Sequence, residues 1–213
     1  MRRAGWTIAW VLGVGFLLAS NTGFFLEYPL LGPGDSASGT NWISLPYNTQ
    51  LQTAQDLFSE LGGATIVESV ARFDPQSDGN QIFSGAPEDD FPIVSGEGLI
   101  VTMKSTVAYA FVGSHQSGAS VRLLGPEDSL SGLNHYALPY HARASLASEL
   151  RNDINQSCNG NCVVQIERLV RSNDSLASYS GSVGGGADFP LTAGESYRIQ
   201  VNQTVEFVLD VVE

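Results

Sequence analysis

The segment SGTNWISLPY at residues 38–47 recurs as SGLNHYALPY at residues 131–140, an offset of 93 residues. A second pair of segments, DFPIVSGEGLIVTM at 90–103 and DFPLTAGESYRIQV at 188–201, follows in the same order at an offset of 98. Two matched blocks in one order indicate an internal duplication. The sequence therefore predicts two copies of one small domain.

Each copy has the pattern of an antiparallel β-rich unit with one short helix. In copy one, a strand at 42–45 ends before Pro46, because proline cannot donate to a β-ladder. Behind a Thr53 cap, apolar residues at helical spacing predict a helix over 53–61. The other predicted elements are a helix at 145–154 and strands at 65–73, 81–84, 99–103, 107–112, 135–138, 163–170, 178–180, 197–201 and 205–212. The expected fold class is mainly β with short helices (α+β).

The N-terminal segment has the composition of a membrane anchor. Residues 4–26 are 23 consecutive uncharged residues, and a helix of that length reaches roughly 34 Å, enough to cross a bilayer. Arg2 and Arg3 precede the segment, so the positive-inside rule places the N-terminus in the cytoplasm and the remainder outside it. A cleaved signal peptide is the alternative. We expect a bacterial inner-membrane protein with periplasmic C-terminal domains.

Four residues of this segment are candidates for docking against another membrane helix. Gly13 and Gly15 allow close approach of a second helix, and Trp6 and Trp10 suit an interface. The alternative is an ordinary anchor helix that faces only lipid. The predicted organisation is a transmembrane helix at 1–27, a linker at 28–37, repeat one at 38–115, a linker at 116–130 and repeat two at 131–213.

The charge of the chain excludes one class of partner. It has 10 Lys and Arg against 22 Asp and Glu, and two of the basic residues precede the apolar segment. A body this acidic repels phosphate backbones, so nucleic acid is not an expected partner.

The two cysteines, Cys158 and Cys162, are expected to form a disulfide that stiffens a protruding loop. A redox pair would need Cys-x-x-Cys at a helix start, and this spacing differs. The histidines, His115, His135 and His141, lack metal-ligand spacing, although His135 and His141 are expected to titrate near pH 6–7. No metal or cofactor is therefore expected.

Three groups of acidic residues are candidates for sites, and each has a structural interpretation. Residues 74–80, DPQSDGN, place oxygen ligands at calcium-loop spacing, but position twelve is Gly85, so a hairpin loop is the better interpretation. Asp90 and Asp188 are expected to stabilise turns. Glu97 and Glu195 recur before a strand, which favours folding roles while leaving open two equivalent ligand sites.

Motifs for nucleophilic, metalloprotease or phosphate chemistry are absent from the sequence, so we expect no catalytic residues. A group of aromatic and histidine residues in or near the two repeated segments forms a candidate interaction surface. Its members are Trp42, Tyr47, His135, Tyr136, Tyr140 and His141. Exposed rings of this kind would stack on sugars, whereas core packing is the alternative.

The repeat resembles a module found in tandem in uncharacterised exported bacterial proteins. The shared pattern is an N-x-[IV]-S-L-P-Y opening, a [WF]-D-P hairpin and an F-P-[ILV]-x-x-G-E-[GS] turn, over about 38–112 and 131–212. Copy one keeps Phe73-Asp74-Pro75, whereas copy two has Ser172-Asn173-Asp174. The resemblance implies this fold and export, and it carries no known reaction.

The overall layout is also similar to non-pigment accessory subunits of bacterial photosynthetic reaction-centre light-harvesting complexes. We therefore expect a non-enzymatic, membrane-anchored scaffold that contacts lipid through its N-terminal helix and docks to integral membrane subunits of a larger complex. The alternative is an exported glycan- or cell-wall-binding module.

Overall fold

The computed structural model describes residues 24–114, 119–182 and 185–208. Within these ranges the chain is mainly β with two short helices, as predicted. Copy one contains β1 (Phe24–Leu30), β2 (Thr40–Ile43), α1 (Ala54–Glu60), β3 (Val67–Asp74), β4 (Gly79–Phe83), β5 (Leu99–Met103) and β6 (Val107–Gly113). Copy two contains β7 (Ser120–Leu123), β8 (Leu133–Ala137), α2 (Ala147–Ser157), β9 (Val163–Val170), β10 (Ser175–Tyr179), β11 (Ser196–Val201) and β12 (Val205–Val208).

Both copies have the same antiparallel topology. A four-stranded sheet has the order β2-β5-β3-β4 in copy one and β8-β11-β9-β10 in copy two, and a two-stranded ribbon joins β1 to β6 and β7 to β12. Leu30 pairs with Val107, and Leu123 pairs with Val205. These pairs match at the offsets of 93 and 98, so the duplication extends to the register of the ribbons.

The duplicated unit begins earlier than the boundaries predicted at 38 and 131. Residues 28–30 and 120–123 were expected in linkers, but they lie in β1 and β7 and pair within the ribbons. The sequence carries the signal for this extension, since LLGPGDSASG at 30–39 matches LLGPEDSLSG at 123–132.

The last residues of the predicted membrane segment belong to a strand. Phe25 and Glu27 point outward while Tyr28 and Leu30 are buried, which is the two-residue period of a strand packed on one face. The other residues of the segment, including Trp6, Trp10, Gly13 and Gly15, lie outside the described residues. Among the residues that are described, no helix is long and apolar enough to cross a membrane.

The helices begin one and two residues after their predicted starts, at Ala54 and Ala147, and capping side chains accept from N–H groups at these helix starts. In α1, Thr53 Oγ1 accepts from Asp56 N (3.2 Å) and the Asp56 carboxylate accepts from Thr53 N (3.1 Å). In α2, the Glu149 carboxylate accepts from Ser145 N (2.7 Å) and Leu146 N (3.2 Å).

Asp90 and Asp188 hold the segment before each closing strand against its helix. Asp90 Oδ1 accepts from Gln55 N (2.9 Å), and Asp188 Oδ1 accepts from Ser148 N (3.0 Å). These bonds confirm the structural role predicted for the pair. Residues 74–80 form the predicted hairpin turn, where the Asp74 carboxylate accepts from Gln76 N (3.0 Å) and Ser77 Oγ (2.7 Å).

The disulfide between Cys158 and Cys162 is present. Cys158 follows α2 and Cys162 precedes β9, and Cys162 is buried against the core of copy two. The disulfide therefore joins the helix end to the following strand, and does not merely stiffen a protruding loop as the sequence suggested.

A buried asparagine organises the same corner in each copy. Asn41 Nδ2 donates to the carbonyls of Leu31 and Gly39 (both 2.9 Å), and its Oδ1 accepts from Leu31 N (2.9 Å). Asn134 makes the equivalent bonds to Leu124 and Gly132. The glycine of this corner has a positive φ, 80° for Gly39, and a Cβ there would collide with the carbonyl oxygen of Met103.

Replacing Asn41 by Ala leaves several buried backbone groups of the corner unpaired. We expect Asn41→Ala to lower the free energy of unfolding by about 3 kcal/mol, measured by urea denaturation. The matched control is Asn152→Ala on the exposed face of α2, which should change it by less than about 0.5 kcal/mol. Equal unfolding midpoints for the two variants would contradict this role.

Candidate functional site

The two copies meet by a reciprocal exchange of backbone hydrogen bonds. Ser44 N, after β2, donates to the carbonyl of Gly194 in copy two (2.9 Å). The equivalent residue, Ala137 N, donates to the carbonyl of Gly96 in copy one (3.0 Å). Each copy thus places the end of its first strand against a turn of the other, and the two contacts are related by an approximate twofold axis. We call this contact region the junction.

The repeated tyrosines extend the exchange into the cores. Tyr140 OH donates to the carbonyl of Ser44 (2.8 Å), and Tyr47 OH donates to the carbonyl of Ala137 (3.4 Å). Tyr47 packs in the core of copy two, and Tyr140 packs against the core of copy one beside Phe111. Burial raises the pKa of both phenols, so each remains a protonated hydrogen-bond donor.

Trp42 and His135 occupy equivalent positions and contact each other at the junction. Their ring centroids are 4.8 Å apart in an edge-to-face arrangement. The guanidinium of Arg198 lies over the Trp42 ring (5.8 Å) and pairs with Glu167 (2.6 Å). His135 Nε2 shares a hydrogen bond of 3.0 Å with Ser196 Oγ.

The residues predicted as an interaction surface therefore lie mainly at the junction. Tyr47, His135 and Tyr136 are buried because they face the opposite copy, so Tyr47 and Tyr136 are placed as in the core-packing alternative and not as exposed stacking platforms. Trp42, Tyr140 and His141 are half-buried. His115 lies outside the described residues.

His135 does not titrate near pH 6–7 as the sequence suggested. Complete burial, with a smaller effect from the positive charge of Arg198, lowers the pKa of its imidazole to about 3. The ring is neutral at physiological pH, and it contributes packing and a hydrogen bond.

The recurring glutamates have different surroundings, which the sequence did not reveal. In copy two, Glu195 accepts hydrogen bonds from Tyr28 OH (3.1 Å) and Tyr197 OH (3.3 Å), and it lies 4.0 Å from the guanidinium of Arg171. Arg171 also covers the Tyr28 ring at 5.1 Å and donates to the carbonyl of Pro29 (2.9 Å). The space left around this group is about 10 Å³.

Glu97 is the equivalent residue in copy one, and its carboxylate lines an open cavity. The cavity has a volume of about 360 Å³ and lies between the β3–β4 hairpin and β7. Glu97 Oε2 is buried and has no hydrogen-bond partner among the described residues. Burial raises the pKa of Glu97, Arg72 lowers it and Asp74 raises it. We call this space the Glu97 cavity.

Local motifs could not identify Arg171 and Tyr28 as partners of Glu195, because 24 to 167 residues separate them from it. The signal that the sequence did carry was the recurrence of a glutamate at equivalent positions of the two copies, Glu97 and Glu195. Among the described residues, no group of three or more His, Cys, Asp or Glu side chains is arranged to hold a metal ion.

Removing one junction hydroxyl should weaken both copies together. We expect Tyr47→Phe and Tyr140→Phe each to lower the free energy of unfolding by about 1–2 kcal/mol, because a buried carbonyl of the opposite copy loses its donor. Tyr179→Phe is the control, since the structure gives its hydroxyl no hydrogen bond within the described ranges. Urea denaturation followed by circular dichroism measures the three variants. A loss no larger than that of the control would contradict the role.

The buried His135 should make the fold sensitive to acid. The unfolded state binds a proton near pH 6.5 and the folded state only near pH 3, so stability is complete above pH 6.5 and falls as the pH drops toward 3. We expect a loss of about 3 kcal/mol between pH 7 and pH 4 that is absent from His135→Gln. Denaturation at several pH values, with an NMR titration of the imidazole, measures it; a midpoint near pH 6.5 in the folded protein would refute it.

Comparison with known proteins found no match to a protein-family model, a curated protein or a solved structure.

Proposed function

We propose that this protein is a non-enzymatic, membrane-anchored periplasmic scaffold that docks to a larger inner-membrane complex. One observation carries the proposal. Phe25 and Val112 lie directly opposite each other on β1 and β6, with 67% and 65% of their surfaces exposed. Two large apolar side chains side by side on a surface favour burial against another molecule.

The position of this pair connects it with the predicted anchor. Phe25 lies near the end of the uncharged segment at 4–26, so the apolar pair is adjacent in sequence to the predicted membrane helix. The outer face of the ribbon also includes Pro29 and Ala108, which pair with each other. A partner that contacts the predicted helix in the bilayer would also contact this outer face of the ribbon.

The junction supplies the stiffness that a scaffold needs. The two copies exchange backbone hydrogen bonds and buried tyrosines, so a displacement of one copy requires the other to lose core contacts. A rigid two-copy body of this kind would hold a bound partner at a fixed position relative to the membrane. A photosynthetic reaction-centre light-harvesting complex remains the specific partner that the layout suggests.

The alternative of a glycan-binding module has weaker support. This hypothesis requires the aromatic residues of the repeated segments to be exposed. Two of them, Tyr47 and Tyr136, are buried between the copies. Sugar stacking requires an accessible ring face.

The apolar pair can be tested without disturbing the core. We expect the double variant Phe25→Ser, Val112→Ser to lose its membrane-protein partners while it keeps its thermal midpoint. The measurement is affinity purification from native membranes in mild detergent, followed by a native gel and mass spectrometry. Recovery of partners should fall about tenfold or more, as expected when apolar anchors of an interface are removed.

Ile82→Ser is the matched control, because Ile82 is 52% exposed but lies on β4, in the other sheet of copy one. It should purify with the same partners as the wild type. Purification of the wild type without stoichiometric partners, or equal recovery with both variants, would overturn the proposal.

A further inference from the structure

The Glu97 cavity and the surroundings of Glu195 are the same site in two copies. Strand register shows the equivalence. In the ribbons, the pair Tyr28–Tyr109 corresponds to the pair Val121–Phe207. In the four-stranded sheets, the pair Ile43–Leu99 corresponds to the pair Tyr136–Tyr197. The turn that follows β3 starts at Pro75, and the turn that follows β9 starts at Arg171. The carbonyls of these two residues accept equivalent hydrogen bonds, from Leu130 N and Ala37 N.

Copy two fills this site with its own guanidinium. Arg171 approaches Glu195, covers the Tyr28 ring and donates to a backbone carbonyl. A planar cation held between a carboxylate and an aromatic face is a favourable arrangement for arginine.

Copy one lacks equivalents of the three polar groups that contact Glu195, namely Arg171, Tyr28 and Tyr197. Pro75 is the equivalent of Arg171, and Leu99 is the equivalent of Tyr197. Val121, which belongs to copy two, is the equivalent of Tyr28, which copy one contributes to the Glu195 site. The Glu97 cavity is lined by Pro75, Val121 and Glu97, and its volume of about 360 Å³ compares with about 10 Å³ at Glu195. Copy one therefore has the carboxylate of Glu97 without equivalents of the groups that donate to Glu195.

The arginines beside the cavity have other partners. Arg72 Nε donates to Gln81 (3.0 Å) and its guanidinium lies 5.2 Å from the Phe91 ring centre, a position that Arg168 repeats over Phe189 in copy two. Arg122 pairs with Asp128 (2.7 Å).

The nearby charges do not cancel once Glu97 is counted. Asp74 and Asp128 balance the two arginines, so an ionised Glu97 leaves one unbalanced negative charge. An uncompensated buried carboxylate is costly, and a hydrogen-bonded cation removes that cost.

We infer that the Glu97 cavity binds a guanidinium group from outside the chain, supplied by an arginine side chain of a partner polypeptide. The external arginine takes the place that Arg171 takes in copy two. The inference does not depend on the membrane anchor or on the Phe25–Val112 pair, and it adds a specific contact to a scaffold whose remaining surface is acidic. Burial raises the pKa of Glu97, Arg72 opposes this effect and Asp74 adds to it, so binding should weaken as the pH falls and Glu97 becomes protonated.

The test is an NMR titration of the full-length, isotope-labelled protein in detergent micelles. The probe is the peptide acetyl-Gly-Arg-Gly-amide, and the matched ligand is the same peptide with citrulline, which has nearly the same shape without the charge. We expect saturable shifts of the Gly96, Glu97 and Val121 amides with the arginine peptide, and none with the citrulline peptide. Free agmatine, a small guanidine, should bind more weakly than the arginine peptide.

Two protein variants complete the experiment. Glu97→Gln should weaken binding about tenfold or more, since the probe loses its charged acceptor, whereas Glu88→Gln, at an exposed acid, should bind like the wild type. The double variant Pro75→Arg, Val121→Tyr rebuilds the copy-two arrangement, and it should no longer bind the probe because its own guanidinium fills the cavity.

Any of three results would overturn guanidinium binding at Glu97: no saturable shift at Glu97 in the wild type, equal binding of the citrulline peptide, or undiminished binding by Glu97→Gln. Tighter binding of agmatine than of the peptide would reject a partner polypeptide as the source. Membrane-partner recovery with the Phe25→Ser, Val112→Ser variant is measured separately, so the two proposals can fail independently.

Discussion

The exchange of strand ends at the junction is the constraint on which the rest of the structure depends. Ser44 N and Ala137 N each donate to a turn of the opposite copy. The hydroxyls of Tyr47 and Tyr140 each donate to a backbone carbonyl of the opposite copy. A unit of roughly 80 residues has only a marginal core of its own. Because each copy contributes a tyrosine to the core of the other, the duplication produces one interlocked body.

The duplication places the same turn in both copies, with different side chains around it. Both copies need the turn that carries Glu97 or Glu195, since its glycine carbonyl accepts the bond from the opposite strand. Of the two carboxylates, Glu195 has a guanidinium at 4.0 Å and two phenol donors, whereas the described residues give Glu97 neither. The junction therefore fixes the position of Glu97. Copy one can have a cavity beside this carboxylate, without equivalents of Arg171, Tyr28 and Tyr197, and still keep the contact between the copies.

Local patterns in the sequence predict most of the elements. The limits of β5 and β9 agree with their β-branched runs, and Thr53 caps α1 as expected, because periodicity and capping depend on neighbouring residues. β1 was missed because its apolar residues continue an uncharged segment that favours a membrane helix. For the aromatic residues near Pro46 and Pro139, the sequence left both an exposed surface and core packing open. It could not show that they pack against the other copy, because that contact joins distant segments. The Glu97 cavity depends on contacts between distant segments, so no motif predicts it.

The most direct test is to produce residues 24–114 and 119–208 as separate chains and record the amide NMR spectrum of each, alone and mixed. If the junction completes both cores, neither chain alone should give a dispersed spectrum of a folded domain. An equimolar mixture should recover the spectrum of the intact body, because the tyrosines and strand ends can then be exchanged between the two chains. A dispersed spectrum and cooperative unfolding from either chain by itself would contradict the account.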